Sequence, residues 1–356
     1  MTTNSFKDGI ENSTRPKKWL WISLSFFLFL VVLLFSLWKR PEPSYGGKQI
    51  SEWFEDAVKE NGASLSASPS MHAFEQMEGD AIPFLIRQIH NQSATNDNGH
   101  IIVALELLGS IGGTQRWKAD VGEPSAKPSI ALAIPDIKAA LKSPIESTRT
   151  FAAQAAWFIG PPAAATIPDL IKLVGDSQDG TAIQGLGMMG VLASNAVPDL
   201  IDIVMDDSSR KRGLAIVSLG EIGEPARSAA PILTSLLANT NEALRVAATR
   251  SLAEIGFTPD EAVPTLTVMK QGTNDWLAAL ATLALWNRDH QDSKLQAELV
   301  KVFHTDKRGW LLSSLAGLGT NAAPLVPEIK LLVNDPDPNI SHFAKRALRR
   351  IQPTDP

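Results

Sequence analysis

The chain contains no cysteine among its 356 residues, which removes disulfides, thiolate metal sites and cysteine nucleophiles together. Tyrosine is almost as scarce: Tyr45 is the only one, and few phenols are left for catalysis. The six histidines, His72, His90, His100, His290, His304 and His342, show neither HExxH nor any other paired ligand spacing, and no His-Glu dipeptide. Each reads as a surface or helix-end residue. Positive charge is in deficit, with 33 Lys and Arg against 38 Asp and Glu and a formal net charge of −5. A nucleic-acid partner is therefore not expected, because phosphate binding needs a basic field over the docking face. No catalytic, cofactor or metal site is read from the sequence. What the chain has instead is repetition.

Pro135, Pro168, Pro198, Pro231 and Pro264 recur at intervals of 33, 30, 33 and 33 residues, and Ala297 and Pro327 occupy the next two slots. Two residues after each slot stands Leu or Ile, from Ile137 and Leu170 to Leu299 and Ile329. Pro83 with Leu85 opens an earlier copy. A second thread runs through Gly112, Gly160, Gly190, Gly223, Gly256, Asn287, Gly319 and Gln352, each preceded by a large apolar residue. Self-similarity at a period of about 20 to 50 residues marks a solenoid. Each unit reads as helix A ended by glycine, a turn, and helix B opened by proline, whose missing N–H costs nothing in a first turn. Acids follow the prolines at Asp136, Asp169, Asp199, Glu298 and Glu328, where the helix dipole favours them. The glycines of GLGMMG at 185–190 superficially resemble a nucleotide loop, but they occupy a helix A slot and read as packing residues.

One segment stands apart. From Trp19 to Trp38, 20 residues carry no charge. At ~1.5 Å per residue they cover roughly the 30 Å hydrocarbon layer of a bilayer. Lys17 and Lys18 close one end, Lys39 and Arg40 the other. The run exceeds the roughly 7–15 apolar residues of a signal peptide, and no small-x-small cleavage site precedes Pro41. A single-pass transmembrane helix at 19–38 is expected. Lys7, Arg15, Lys17 and Lys18 before it, against Lys39, Arg40 and Lys48 after it, place the amino terminus in the cytoplasm and the repeats outside. The expected organisation is a disordered tail at 1–18, the span, a juxtamembrane linker with a short helix at 39–70, a solenoid at 71–352, and a tail at 353–356. Within the linker, the stretch PEPSYGG at 41–47 reads as an extended spacer.

The alternation of L-x-x-I-G with A-x-P-D/E-L, together with Arg149, Arg212, Arg245 and Arg308 each 11 residues before a glycine slot, resembles HEAT repeats over about residues 71–352. The segment YGGKQISEWFEDA resembles the start of bacterial membrane-anchored HEAT-repeat proteins. The resemblance implies an all-α, right-handed superhelical solenoid of about eight helical pairs, joined here to one amino-terminal transmembrane helix. The glycine slot fails at Asn287 and Gln352 and the proline slot at Ala297, so the sixth and last units are irregular. The arginines read as inter-repeat partners of neighbouring acids.

The expected function is a non-catalytic, membrane-anchored scaffold whose repeat surface binds a protein partner. The resemblance also allows a HEAT-like lyase or DNA-glycosylase type of enzyme, and a passive envelope spacer is the third reading. Two surfaces are candidates for partner binding. The interval from Gly112 to Pro135 is 23 residues against 8 in regular units, which implies an insertion at about 113–131 with Trp117 as an aromatic anchor between Arg116 and Lys118. The second is a helix B stripe of Arg87, Lys138, Lys172, Asp202, Lys301 and Lys330, expected on the concave side.

Overall fold

The computed structural model describes residues 42–352 apart from 61–64, 66–67, 93–97, 125–128, 177–179 and 291. The expected tails and the apolar span 19–38 lie outside the described residues. Among the described residues no helix is long and apolar enough to cross a membrane.

The segment read as an extended spacer turns back on itself. Strands β1 (Ser44–Tyr45) and β2 (Lys48–Gln49) pair antiparallel around Gly46 and Gly47, both at positive φ, as a two-residue hairpin loop requires. The hairpin leads into α1 (Ile50–Glu60) and is tied to it: Trp53 Nε1 donates to the Tyr45 carbonyl at 3.0 Å, and Lys48 pairs with Asp56. Helix α2 (Pro69–Met77) follows, capped by the Ser68 hydroxyl.

Eight helical pairs come next among the described residues. They are α3 (Ile82–Gln92) with α4 (Asn98–Asp120), α5 (Ile134–Ala140) with α6 (Glu146–Ile159), α7 (Ile167–Asp176) with α8 (Thr181–Met188), and α9 (Val197–Met205) with α10 (Arg212–Ile222). The second half holds α11 (Ala230–Leu236) with α12 (Glu242–Ile255), α13 (Val263–Lys270) with α14 (Asp275–Trp286), α15 (Ser293–Val302) with α16 (Arg308–Leu318), and α17 (Val326–Leu331) with α18 (Pro338–Ile351). The odd-numbered members from α3 onward, the proline-opened helices, carry the proline slot, filled by Ala297 in α15. The even-numbered members, the glycine-ended helices, carry the glycine slot, filled by Asn287 after α14 and Gln352 after α18.

The sequence grammar has a local physical basis. Gly223 ends α10 at φ 79° and ψ −142°, a region that side chains with a β-carbon avoid. The next six residues wind into a 3-10 turn, Glu224–Ala229, anchored by Ala226 N donating to the Gly223 carbonyl at 2.8 Å. Apolar slots face inward throughout, and Leu219, Ile222 and Leu233 are fully buried.

The repeated arginines divide. Arg149 Nη1 donates to the carbonyls of Ser143 and Pro144 at 2.8 and 3.0 Å, and Arg245 Nη1 to those of Asn239 and Thr240 at 2.7 and 3.0 Å. These two satisfy loop carbonyls of their own unit, Arg212 pairs with Asp207 of its own loop, and Arg308 Nε lies 3.5 Å from Asp335 of the next unit, the inter-repeat pairing expected. Further inter-unit contacts involve the acids after the proline slots: His90 lies 2.5 Å from Asp136, Lys142 3.7 Å from Asp169 and Lys270 2.7 Å from Glu298.

Glycine-ended helices stack directly on one another, whereas the proline-opened ones are splayed. Small residues five before the glycine slot make the close approach: Ser218 Oγ donates to the Ile183 carbonyl at 2.9 Å, and Ser251 Oγ to Ile216 at 2.7 Å. The inner, concave side is therefore built from the glycine-ended helices. The basic stripe lies on the splayed outer helices, contrary to the sequence expectation.

Two further departures shape the array. Helix α4 does not stop at Gly112 but runs to Asp120, so the first part of the expected insertion, 113–120, is a helical extension. Gly112 serves close approach instead, since any β-carbon there would collide with Ile159 and Ile130. At the irregular sixth unit, Asn287 turns the chain with ordinary helical backbone and its side-chain amide donates to the Ala253 carbonyl at 2.6 Å. Beyond it α16 packs on α12 rather than regularly on α14, and Ser314 Oγ donates to Glu254 Oε1 at 3.1 Å.

Leu219→Asp places an unpaired carboxylate in the fully buried slot, and should lower stability by ~3–5 kcal/mol, while Lys330→Ala on an exposed outer position should change it by less than ~0.5. Thermal melts followed by circular dichroism test this; equal midpoints would overturn the assigned register.

Candidate binding surface

The five basic stripe residues sit apart on α3, α5, α7, α15 and α17. Arg87, Lys172, Lys301 and Lys330 are exposed, and Lys138 is half-buried. Lys172 lies 3.8 Å from Asp169, and Arg87 is over the Phe84 ring at 5.8 Å. The stripe does not converge on a pocket.

The second candidate group has moved into the body of the array. Lys118 on α4 pairs with Glu78. Trp117 stacks on His342 of α18, with ring centroids 3.3 Å apart and planes 8° from parallel, and meets Phe343 edge-on. Arg349 Nη1 donates to the Ala119 carbonyl at 3.1 Å, and Arg346 lies 3.5 Å from Asp120. Trp117 is thus no anchor on a flexible loop: its helix joins the first repeat to the last. Arg116 is desolvated beside Asp120, Arg346, Arg350 and Glu221, and burial, the leading cause, lowers its pKa.

Where these helices meet, the inner face carries a ladder of charge. Glu254 is buried, and its Oε1 accepts from Arg250 Nε at 2.8 Å. Its Oε2 has no hydrogen-bond partner among the described residues. Burial raises its pKa. Glu221, one unit earlier in the same slot, keeps a route to water. Protein nevertheless crowds its carboxyl, and that desolvation, followed by the like charge of Glu254, pushes its pKa up to about 7 against Arg250, Arg346 and Arg116. Gly187 of α8 leaves the room this side chain fills, so the glycine of GLGMMG is a packing residue, as the slot implied.

Beside this ladder a cleft of ≈ 520 Å³ opens, lined by residues of α2, α4 and α6. Glu75, Glu106, Ser110, Trp117, Gln154 and Phe158 are among them. Trp117 and Phe158 keep 41% and 37% of their surface exposed despite their size. Among the described residues no group of three or more His, Asp or Glu is placed to hold a metal ion. Glu106, Phe158, Glu221 and Glu254 were not singled out from the sequence, and His342, read there as a surface or helix-end residue, is buried within α18. A column reading could have found three of them, since Phe158, Glu221 and Glu254 all stand two residues before a glycine slot.

A family model described as HEAT repeats matches residues 197–286. Residues 197–286 thus match HEAT repeats. That match covers α9 to α14, and the same helix–turn–helix pairing continues on both sides of it. No curated protein matches the chain by sequence. Among solved structures, an engineered protein shares 17% identity at a TM-score of 0.38, covering 84% of this chain and 98% of that one. The CpcE–CpcF complex of phycocyanin lyase from Nostoc sp. shares 18% identity at 0.40, covering 74% and 98%. Human deoxyhypusine hydroxylase shares 14% at 0.22, covering 85% and 99%. At these values the likenesses assign this chain neither an activity nor a partner.

Two outcomes follow for the inner face of the array. A carboxyl with a raised pKa binds its proton more tightly in the folded state, so stability falls as pH rises from the ordinary value of 4.5 to about 7. The thermal midpoint should therefore drop between pH 5 and pH 7.5 more in the wild type than in Glu221→Gln; parallel profiles would refute the assignment. Trp117→Ala should lower the thermal midpoint, with a loss of ~1–3 kcal/mol from the stacked contact and its buried area. An unchanged melt would mean that α4 and α18 are not held together by this pair.

Proposed function

We propose that the chain is a non-catalytic scaffold, anchored in a membrane through residues 19–38, whose HEAT-repeat surface binds a protein partner outside the cytoplasm. The observation that carries the reading is the open cleft on the inner face, where two large aromatic side chains, Trp117 and Phe158, stay exposed beside each other. Large aromatics concentrate binding energy at protein interfaces, and solenoids use concave surfaces for such contacts. The uncharged run from Trp19 to Trp38 and the basic residues before it support the anchor and its orientation.

A membrane-impermeant amine crosslinker applied to intact spheroplasts carrying the full, tagged chain tests the reading. Purification under denaturing conditions should recover one discrete adduct with a second protein. An adduct formed only after permeabilisation would reverse the orientation, and no adduct under either condition would overturn the scaffold.

A further inference from the structure

The inner cleft has an unbalanced chemistry. Two carboxylates, Glu75 and Glu106, line it together with the rings of Trp117 and Phe158, and no lysine or arginine is among its lining residues. Glu75 has a neutral partner, the Ser110 hydroxyl, which donates to Oε1 at 2.7 Å. Glu106 is half-buried on α4, and among the described residues it makes no hydrogen bond or ion pair. Burial raises its pKa, and no neighbouring cation opposes the rise. A carboxylate desolvated without a countercharge is unfavourable in the free protein, and a bound cation relieves it. Nearby aromatic faces favour the same charge through their quadrupoles and cover the apolar shaft of a long basic side chain. An anion would meet two like charges, and a purely apolar group would leave both carboxylates without a partner. The volume of ≈ 520 Å³ falls within the roughly 300–1,000 Å³ of clefts that enclose ligands.

We infer that this cleft takes a basic side chain, an arginine guanidinium or lysine ammonium, presented by a segment of the protein partner. The inference rests on the scaffold reading and gives its partner a chemistry: a basic segment that enters between α2, α4 and α6 on the inner face.

The test is fluorescence anisotropy on the full chain in detergent, with the labelled peptide Gly-Ser-Arg-Ser-Gly and a counterpart carrying norleucine in place of arginine. The arginine peptide should bind more tightly than the norleucine peptide, and less tightly as salt is raised. Glu106→Gln should weaken it about tenfold or more, the scale of one charge-assisted contact. Phe158→Leu, at a partly exposed position the fold tolerates, should weaken it by a smaller factor. Equal binding of the norleucine peptide, or unchanged affinity in Glu106→Gln with an unaltered circular dichroism spectrum, overturns the site and leaves partner binding elsewhere on the array standing. N-acetylarginine amide competing at the peptide's own concentration assigns the cleft to a free cation and overturns the partner segment. The crosslinking result judges the scaffold reading separately.

Discussion

Close stacking of the glycine-ended helices is the constraint on which the rest of the molecule depends. Two helices can approach this tightly only where one offers a small residue to the other's backbone. Here the residue five before the glycine slot meets the need in every unit after the first, from Ala155 to Ala347, and at Ser218 and Ser251 it adds a hydrogen bond to a carbonyl of the previous unit. Such a bond to a helix carbonyl already used within its own helix contributes little energy, on the order of 1 kcal/mol at most. Its value lies in register: a hydroxyl repeated at one slot allows a single axial offset between neighbours. The same closeness puts these helices on the inner radius and spreads the proline-opened helices outward.

A solenoid built from identical contacts would continue without meeting itself. This one breaks its own rule inside the array. At the sixth unit, Asn287 replaces the slot glycine and α14 is buried along most of its length, so α16 reaches past it to α12. Beyond that point α18 comes back against α4, where Trp117 and His342 stack. Contacts between the first and last repeats close a long sequence separation, which gives the array cooperativity that nearest-neighbour stacking alone does not supply.

Closure has an electrostatic consequence. Bringing α4, α10, α12 and α18 together gathers Arg116, Arg250, Arg346 and Arg350 with Glu221, Glu254 and Asp120 on a face of reduced solvation. Glu221 and Glu254 respond by holding protons to higher pH, and Arg116 and Arg350 by a lowered pKa. The neighbouring cleft differs in kind: it holds acids without compensating bases, beside aromatic surface left open. That imbalance distinguishes a surface suited to a partner from one that has already satisfied itself.

Repetition made most of the fold legible in the residues. Prolines, slot glycines and the apolar positions between them report local events, a helix start, a helix end and a buried side, and neighbouring units reuse them unchanged. Local chemistry misled where one residue type serves two ends. Gly112 looks like a terminator yet works by close approach, because Ile159 and Ile130 lie against it. Arg149 and Arg245 look like inter-unit partners yet hold carbonyls of their own unit. The inner cleft was the least legible part. Trp117 drew notice as a large aromatic between basic residues, but its neighbours His342 and Phe158 lie 225 and 41 residues away in sequence. The sequence by itself determined an all-α repeat array and the residues that fill its interior, because those follow from periodicity. Only the tertiary structure decided which helices face inward, where the ends meet and which acids lack a countercharge, because these depend on the curvature summed over every unit and on the one unit that departs from it.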